Sequence, residues 1–244
     1  MSHRVAVVTG GSRGIGRGIA EALASRGAGV AVAYRERAEA AAQVVEGILS
    51  RGGRAWAGVC DVTSPDSVER YFALAADALG PIDILVNNAG VAADAHIVMM
   101  DAGRWETVLR TNLDGAYHCV RACVRGMLLR KWGRVINVTS PSALMPLPGQ
   151  ANYAASKAGI IGLTKALSRD LAAGGVLVNA VSPGLIDTEM LDAMPAHALD
   201  RYLKAVAVGR KGTVGEVGAV VAFLASDAAS YVTGQVIAVD GGLG

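Results

Sequence analysis

The most informative segment of the chain is Arg4-Val-Ala-Val-Val-Thr9 followed by Gly10-Gly-Ser-Arg-Gly-Ile-Gly16. A short apolar run of this kind predicts a buried strand, and the glycines after it predict a tight turn that opens a helix ending near Gly27. The next apolar run, Gly29-Val-Ala-Val-Ala-Tyr34, predicts a second strand. Residues 4–34 are therefore predicted to form one βαβ unit with two parallel strands side by side.

The glycine turn also predicts a ligand. Glycines at positions 10, 14 and 16 let a pyrophosphate approach the backbone N–H groups at the start of the helix. A site that prefers NAD carries an acidic residue at the end of the second strand. Tyr34 and Arg35 stand there instead, and Arg13 lies in the glycine turn. Two cations suit a 2′-phosphate, so NADPH is the predicted cofactor; the alternative is that Arg35 and Arg37 are solvated surface side chains.

Apolar runs and helix-like segments alternate along the rest of the chain. Nearly continuous apolar strands are typical of a parallel sheet that is covered on both faces. We therefore predict an α/β protein with a single Rossmann-type, doubly wound parallel sheet of about seven strands, with helices on both faces and one domain spanning residues 1–244. The segment 185–212 interrupts the alternation with short polar helices and predicts a small substrate lid.

The composition argues against several functional classes. The net charge of +2 provides no strong field for a nucleic acid or a membrane surface. The three cysteines and four histidines show no metal-binding spacing, so no metal site is predicted. The odd number of cysteines suits a reducing compartment, and no signal-peptide pattern precedes the first strand. We expect a soluble cytoplasmic protein.

A second segment, Ser140 to Lys157, carries residues suited to proton transfer. Tyr153 and Lys157 are four positions apart, so on a helix they share one face. A tyrosine titrates near pH ~10, and a neighbouring ammonium is expected to lower that pKa. Ser140, at the end of a strand-like run, is placed to hold a substrate oxygen beside the phenol. The alternative is an ordinary helix start with a solvated lysine.

Together these motifs resemble the classical short-chain dehydrogenase/reductase family, and the resemblance covers essentially the whole chain. Within the family, residues 149–159 and 232–242 are most similar to the 3-oxoacyl-[acyl-carrier-protein] reductase branch. The motifs that carry the resemblance are Thr9-Gly-x-x-x-Gly-Ile-Gly16, Asp61, Asn87-Asn-Ala-Gly90, Asn112, Ser140, Tyr153-x-x-x-Lys157 and Pro183-Gly184.

The resemblance implies a role for each of these residues. Tyr153 would give its proton to a carbonyl oxygen while NADPH gives hydride to the carbon. Lys157 would depress the phenol pKa and bind the nicotinamide ribose, Ser140 would orient the carbonyl, and Asn112 would hold a water in a proton relay. The predicted cofactor-binding residues are Gly10, Ser12, Arg13, Gly14, Ile15, Gly16, Tyr34, Arg35, Asp61, Val62, Asn88, Ala89, Gly90, Tyr153, Lys157, Pro183, Gly184, Ile186 and Thr188.

For the substrate, the resemblance implies a 3-oxoacyl or polyketide thioester, which an acyl carrier protein could present to a homotetramer. Arg130 and Lys131, at the end of a long helix, are the expected carrier contacts at the rim of the cleft. Apolar side chains on both sides of the expected pocket suit an acyl chain. They are Leu144, Met145, Leu147, Leu185, Met190, Leu191 and Met194.

Two alternatives remain open at this point. A reductase or dehydrogenase of a free ketone, sugar or secondary alcohol would use the same fold and the same four catalytic residues. A non-catalytic nucleotide-binding regulator belongs to another class, and it should have lost part of the catalytic set. Because Asn112, Ser140, Tyr153 and Lys157 are all present, the sequence favours an enzyme.

Overall fold

The predicted apolar runs form one parallel sheet. The structure is a computed structural model that describes residues 1, 3–192 and 196–243. Its strands are β1 (Val5–Thr9), β2 (Gly29–Tyr34), β3 (Arg54–Val59), β4 (Ile84–Asn87), β5 (Gly133–Val138), β6 (Val176–Pro183) and β7 (Val236–Val239). Within the described residues the sheet has seven parallel strands in the order β3-β2-β1-β4-β5-β6-β7. The predicted Rossmann-type class is confirmed.

Helices cover both faces of the sheet because alternate strand residues point to opposite sides. Ala6 and Val8 belong to one buried apolar cluster, and Val5 and Val7 belong to another. No helix in the described part of the chain is long and apolar enough to span a bilayer. The helices are α1 (Gly14–Ser25), α2 (Ala38–Ser50), α3 (Pro65–Leu79), α4 (Ala102–Leu109), α5 (Gly115–Leu129), α6 (Ala151–Leu171), α7 (Glu189–Asp192), α8 (Ala196–Ala205) and α9 (Val214–Leu224).

The strand order reverses direction at β1, which pairs with β2 on one side and with β4 on the other. A crevice forms at the carboxyl ends of the strands at such a point. Its floor is held by hydrogen bonds between the turns after β1 and β4. The Oγ1 of Thr9 accepts from the backbone N of Asn88 and of Ala89, both at 3.0 Å. The Nδ2 of Asn88 donates to the carbonyls of Thr9 at 2.9 Å and Gly10 at 3.1 Å.

One predicted helix differs from the structure. The pattern from Trp105 to Lys131 predicts a single long helix, whereas α4 and α5 are separated by a π-helical turn over Arg110–Asp114. A π-helical turn inserts one extra residue into the helical path and re-aims the side chains within it. Asn112 lies in this turn, so the irregularity sets the direction of a predicted catalytic side chain.

The segment 185–212, predicted to be a small lid, is joined at its base by backbone pairing. Ile186 and Gly212 form an isolated parallel bridge. The segment therefore leaves the end of β6 and returns to the same point before α9 begins. Residues 193–195, which include the predicted pocket residue Met194, lie outside the described residues, and so does the side chain of Met190.

We expect the Gly218→Ala variant to be less stable than the wild type, because α1 and α9 touch through glycines. A Cβ at position 218 would lie 2.7 Å from the carbonyl oxygen of Gly18 and 2.8 Å from the Cβ of Ala22. Overpacking of this kind lowers the free energy of unfolding by about 1–3 kcal/mol.

The matched control is Gly47→Ala, near the C-terminal end of α2. A Cβ there would meet only the flexible end of Arg51, at 3.7 Å. Helix propensity alone should raise the free energy of unfolding by up to about 1 kcal/mol. Urea unfolding of both variants is the measurement, and equal stability of the two would contradict the close packing of α1 on α9.

Candidate active site

The turn between β1 and α1 fits a pyrophosphate group. Gly10 and Gly14 have φ angles of +62° and +50°, in the left-handed region that favours glycine. A Cβ at position 10 would lie 3.1 Å from the Cα of Ala89. The two turns can therefore approach this closely only because residue 10 has no side chain. Arg13 precedes α1 and provides no side-chain cap, which leaves the first N–H groups of the helix for an anion. The predicted residues Ser12, Ile15 and Gly16 belong to the same turn and the first turn of α1.

Asp61 and Val62, predicted to lie beside the adenine, follow β3 after Cys60. The Asp61 Oδ1 accepts hydrogen bonds from the N and the Oγ1 of Thr63 at 2.9 and 2.8 Å. Burial pushes the pKa of Asp61 up, but these bonds and the positive charges of Arg35 and Arg110 outweigh burial and lower the pKa below its usual value. The carboxylate is therefore ionised at neutral pH and shapes the turn after β3.

Both arginines predicted to bind a 2′-phosphate are paired with carboxylates. The Nη2 of Arg35 lies 2.6 Å from Oε1 of Glu36. The Nη1 of Arg13 lies 3.0 Å from Oε2 of Glu189, and the Nη1 of Arg37 lies 3.2 Å from the same oxygen. The structure therefore brings Arg13 together with Arg37, which was not among the predicted cofactor residues, rather than with Arg35.

Asn112 connects the loop after β4 to α6, the helix that carries Tyr153 and Lys157. Its Oδ1 accepts from the backbone N of Val91 at 2.8 Å, and its Nδ2 donates to the carbonyl of Val91 at 3.0 Å. The Nδ2 also donates to Oγ of Ser156 at 3.0 Å, and Ser156 lies in α6 between Tyr153 and Lys157. The amide thus positions two segments of the site at once.

Ser140 and Tyr153 meet at the end of β5. The Ser140 hydroxyl is a hydrogen-bonding neighbour of the Tyr153 phenol, so the two side chains lie together at this end of the strand. Burial raises the pKa of Tyr153, the bond to Ser140 lowers it, and the negative charge of Asp94 raises it again, with a net pKa above the ordinary value. The predicted depression of this pKa by Lys157 is wrong for this structure, because burial dominates.

The position of Lys157 explains that result. Its ammonium donates to the carbonyl of Val138 at 2.9 Å and lies 5.6 Å from the centroid of the Tyr153 ring. The residue is only 5% exposed, and burial lowers the pKa of Lys157 from 10.5 to about 8. The Oγ1 of Thr139 donates to the carbonyl of Lys157 at 2.9 Å. The ammonium is therefore fixed to the end of β5 rather than to the phenol oxygen.

Two further loops enclose the crevice. A Cβ at Gly90 would lie 3.6 Å from Nζ of Lys157, so the backbone after β4 packs against a side chain of α6. On the other side, the N of Gly184 donates to the carbonyl of Val239 at 3.0 Å. A Cβ at Gly14 would lie 3.6 Å from Cγ2 of Thr188, so the chain after β6 returns to the glycine turn. The remaining predicted residues at this carboxyl edge are Tyr34, Asn88, Ala89, Pro183 and Ile186.

Arg130 and Lys131 lie at the opposite edge of the sheet from the site. They precede β5, whereas Ser140 follows it. The Nη2 of Arg130 lies 3.3 Å from Oδ1 of Asp83, which precedes β4. Because a strand rises about 3.3 Å per residue, the separation from Ser140 is roughly 20 Å. The predicted position of these cations at the rim of the cleft of the same chain is wrong, since α5 runs from the site to the amino ends of the strands.

Several residues at the site were not predicted from the sequence. Arg37 stands two positions after Arg35, and its place just after β2 could have identified it as a candidate cofactor residue. Asp94, Ser156 and Glu189 belong to different segments, and their local patterns indicate no role. Only the fold brings their side chains to the predicted residues.

The fold and this arrangement of side chains define a protein class, and comparison with known proteins agrees. A family model described as "Enoyl-(Acyl carrier protein) reductase" matches residues 10–244. The chain belongs to the short-chain dehydrogenase/reductase family. It is therefore an oxidoreductase of a family whose members use a nicotinamide cofactor.

Individual relatives and one solved structure resemble the chain over nearly its whole length. The chain is 43% identical over 244 residues to a 3-oxoacyl-[acyl-carrier-protein] reductase of Synechocystis sp., with 100% of this chain and 98% of the relative covered. A reductase of the same name from Vibrio cholerae is 43% identical over 243 residues, covering 100% and 98%. Among solved structures, a dehydrogenase/reductase from Sinorhizobium meliloti 1021 has a TM-score of 0.93 and 38% identity, covering 100% of this chain and 96% of that chain.

We expect the ligand-free Lys157→Met variant to be more stable than the wild type at neutral pH, with a difference that disappears at high pH. Folding lowers the pKa of Lys157 from 10.5 to about 8, so the unfolded chain holds the proton more tightly. The free-energy cost of burying the ammonium is fully present below the pKa of Lys157 in the folded protein. Wild-type stability therefore rises as the pH increases from this pKa to the pKa of the lysine in the unfolded chain.

A shift of this size corresponds to a few kcal/mol, at about 1.4 kcal/mol per pKa unit. The measurement is urea unfolding of both proteins at several values of pH across that window. A stability difference that does not change with pH would show that the buried ammonium is not the cause.

Proposed function

We propose that the chain is an NADPH-dependent carbonyl reductase that converts a 3-oxoacyl thioester into the 3-hydroxyacyl product, with residues 1–244 acting as one catalytic domain. The observation that carries the proposal is the hydrogen-bonded pair of Ser140 and Tyr153 beside the buried ammonium of Lys157. This group lies at the carboxyl edge of the sheet, in the crevice that the glycine turn opens. The cofactor, when bound, supplies a hydride for the carbonyl carbon.

The side chains suit proton donation to an oxygen. Burial keeps the pKa of Tyr153 above its ordinary value, so the phenol carries its proton at neutral pH. Ser140 lies next to the phenol and supplies a second hydroxyl for the carbonyl oxygen, which fixes the substrate relative to the phenol. The ammonium of Lys157 lies 5.6 Å from the centroid of the Tyr153 ring, next to the proposed proton donor. The nicotinamide ribose would be held by Tyr153 and Lys157.

The preference for NADPH is supported by charge at the other end of the crevice. The end of β2 carries Tyr34 and Arg35 and no acidic residue at the strand end itself. Arg13 and Arg37 converge on one anionic oxygen near this edge, as two guanidinium groups would on a phosphate. Relatives that are 43% identical are named 3-oxoacyl-[acyl-carrier-protein] reductases, which agrees with a carbonyl substrate.

The proposed thioester substrate is supported by apolar side chains beside the catalytic pair. Leu144 and Met145 follow Ser140 closely and are 82% and 51% exposed. The N of Ala95 donates to the carbonyl of Gly149 at 2.9 Å, which joins this loop to the segment after β4. That segment contains further exposed apolar side chains, namely Ile97, Val98 and Met99. An acyl chain matches such walls, whereas the hydroxyls of a sugar would need buried polar partners.

The alternative is a reductase or dehydrogenase of a free ketone, sugar or secondary alcohol with the same catalytic group. The description of the matching family model names an enoyl reductase, whereas two neighbouring hydroxyl groups suit a carbonyl oxygen. Presentation of the substrate by an acyl carrier protein, a homotetrameric assembly and a cytoplasmic location stay predictions.

We expect Tyr153→Phe to lower kcat by at least about 100-fold, because general acid catalysis contributes typically 10²–10⁴-fold. Cofactor affinity should stay nearly unchanged, since the ring remains and only the hydroxyl is lost. Steady-state reduction of a 3-oxoacyl thioester and a separate titration with NADPH measure the two effects.

The control is Tyr231→Phe, which removes a hydroxyl from a fully exposed tyrosine at 102% relative exposure. This variant should keep wild-type turnover. A Tyr153→Phe enzyme that retains more than about a tenth of the wild-type kcat would exclude Tyr153 as the proton donor.

We expect kcat/KM to rise with the length of the acyl chain on a small thiol, and to rise less in a Leu144→Ser/Met145→Ser variant. A buried methylene contributes about 0.8 kcal/mol, or roughly four-fold in kcat/KM per methylene. The control is Leu129→Ser, which changes an equally exposed leucine (78%) at the far end of α5. Good turnover of a sugar or simple ketone with no activity on any thioester would instead favour the alternative function.

A further inference from the structure

Two arginines from separate elements converge on one carboxylate at the edge of the cofactor crevice. Arg13 immediately precedes α1, and Arg37 immediately precedes α2. Their Nη1 atoms lie 3.0 and 3.2 Å from Oε2 of Glu189, the first residue of α7. The three residues come from distant segments of the chain. Their meeting point is therefore built by the fold rather than by a local sequence pattern.

The position that this oxygen occupies is suited to an anion with several acceptor atoms. Two guanidinium groups supply N–H donors to it, and α2 begins without a side-chain cap, so its first N–H groups add positive potential nearby. A hydrogen bond from Arg13 and the charge of Arg37 lower the pKa of Glu189. The carboxylate is therefore an anion at neutral pH, and a group of the chain itself fills a place suited to a phosphate.

We propose that Glu189 is a specificity-determining residue that competes with the 2′-phosphate of NADPH for Arg13 and Arg37. The inference rests on the proposed use of NADPH. The side chains of Arg13, Arg37 and Glu189 are 51%, 52% and 62% exposed, so their ion pairs are weak and readily exchanged.

A phosphate carries more charge and more acceptor oxygens than a carboxylate, so it displaces Glu189 from the two guanidinium groups. NADH has no group at this position and leaves the cluster intact. Glu189 therefore weakens the binding of NADPH without changing the binding of NADH. Without Glu189, the preference for NADPH over NADH that the two arginines create would be larger.

The test measures the Kd of NADPH and of NADH, by nicotinamide fluorescence and without substrate, for four proteins. These are the wild type, Glu189→Gln, Asp187→Asn and the double variant Glu189→Gln/Arg37→Ala. Asp187→Asn is the matched control, because it removes one exposed negative charge two positions away that is paired with Lys211 at 3.0 Å. Glu189→Gln should lower the Kd of NADPH by about two- to ten-fold, which is the scale of exposed ion pairs. The Kd of NADH should change by less than about two-fold.

The control variant should bind both cofactors as the wild type does, and the double variant should lose the gain for NADPH. A Glu189→Gln variant with unchanged or weaker NADPH binding would overturn the inference. So would an equal gain in Asp187→Asn, which would indicate a general charge effect.

If the wild type binds both cofactors equally and Glu189→Gln creates a preference for NADPH, the role of Glu189 holds and the proposed NADPH preference of the natural protein fails. If the wild type prefers NADPH and Glu189→Gln leaves that preference unchanged, the proposed use of NADPH holds and the role of Glu189 fails.

Discussion

The in-register pairing of parallel strands is the constraint on which the rest of the structure depends. Val8 pairs with Val86, Asn87 with Asn137, and Val138 with Val181. Neighbouring strands therefore end at the same level, and every turn that follows them must share one edge of the sheet. The glycine turn, the loop after β4 and the hydroxyls of Ser140 and Tyr153 are brought together for this reason. Side-chain hydrogen bonds such as those of Thr9, Asn88 and Asn112 then hold these turns in place.

The catalytic end of the crevice is buried, and burial sets its electrostatics. The Lys157 ammonium is held by the Val138 carbonyl, and its pKa falls to about 8 because water is excluded. Burial also raises the pKa of Tyr153, so the phenol keeps its proton. A buried charge of this kind opposes folding, and a site that needs a cation beside a protonated phenol must accept that loss of stability. In the proposed function, catalysis and stability therefore make opposite demands at Lys157.

The cofactor end of the crevice is different because its charges are exposed. Arg13, Arg37 and Glu189 form ion pairs in contact with water, where such pairs contribute little free energy and exchange easily. A ligand can therefore replace a carboxylate of the chain without disturbing the core. In the proposed function, rigid buried groups carry the chemistry at one end, and exchangeable surface groups set the cofactor preference at the other.

The sequence by itself determined the fold class, because apolar runs of strand length alternating with helices have few ways to bury their surfaces. It also located the glycine turn and the spacing of Tyr153 and Lys157, which depend only on local geometry. The tertiary structure alone decided three other features. The π-helical turn directs Asn112 to Val91, burial raises the pKa of Tyr153, and the fold brings Arg13 to Glu189. Each depends on groups far apart in the chain, whose distance and solvent exposure no local pattern encodes.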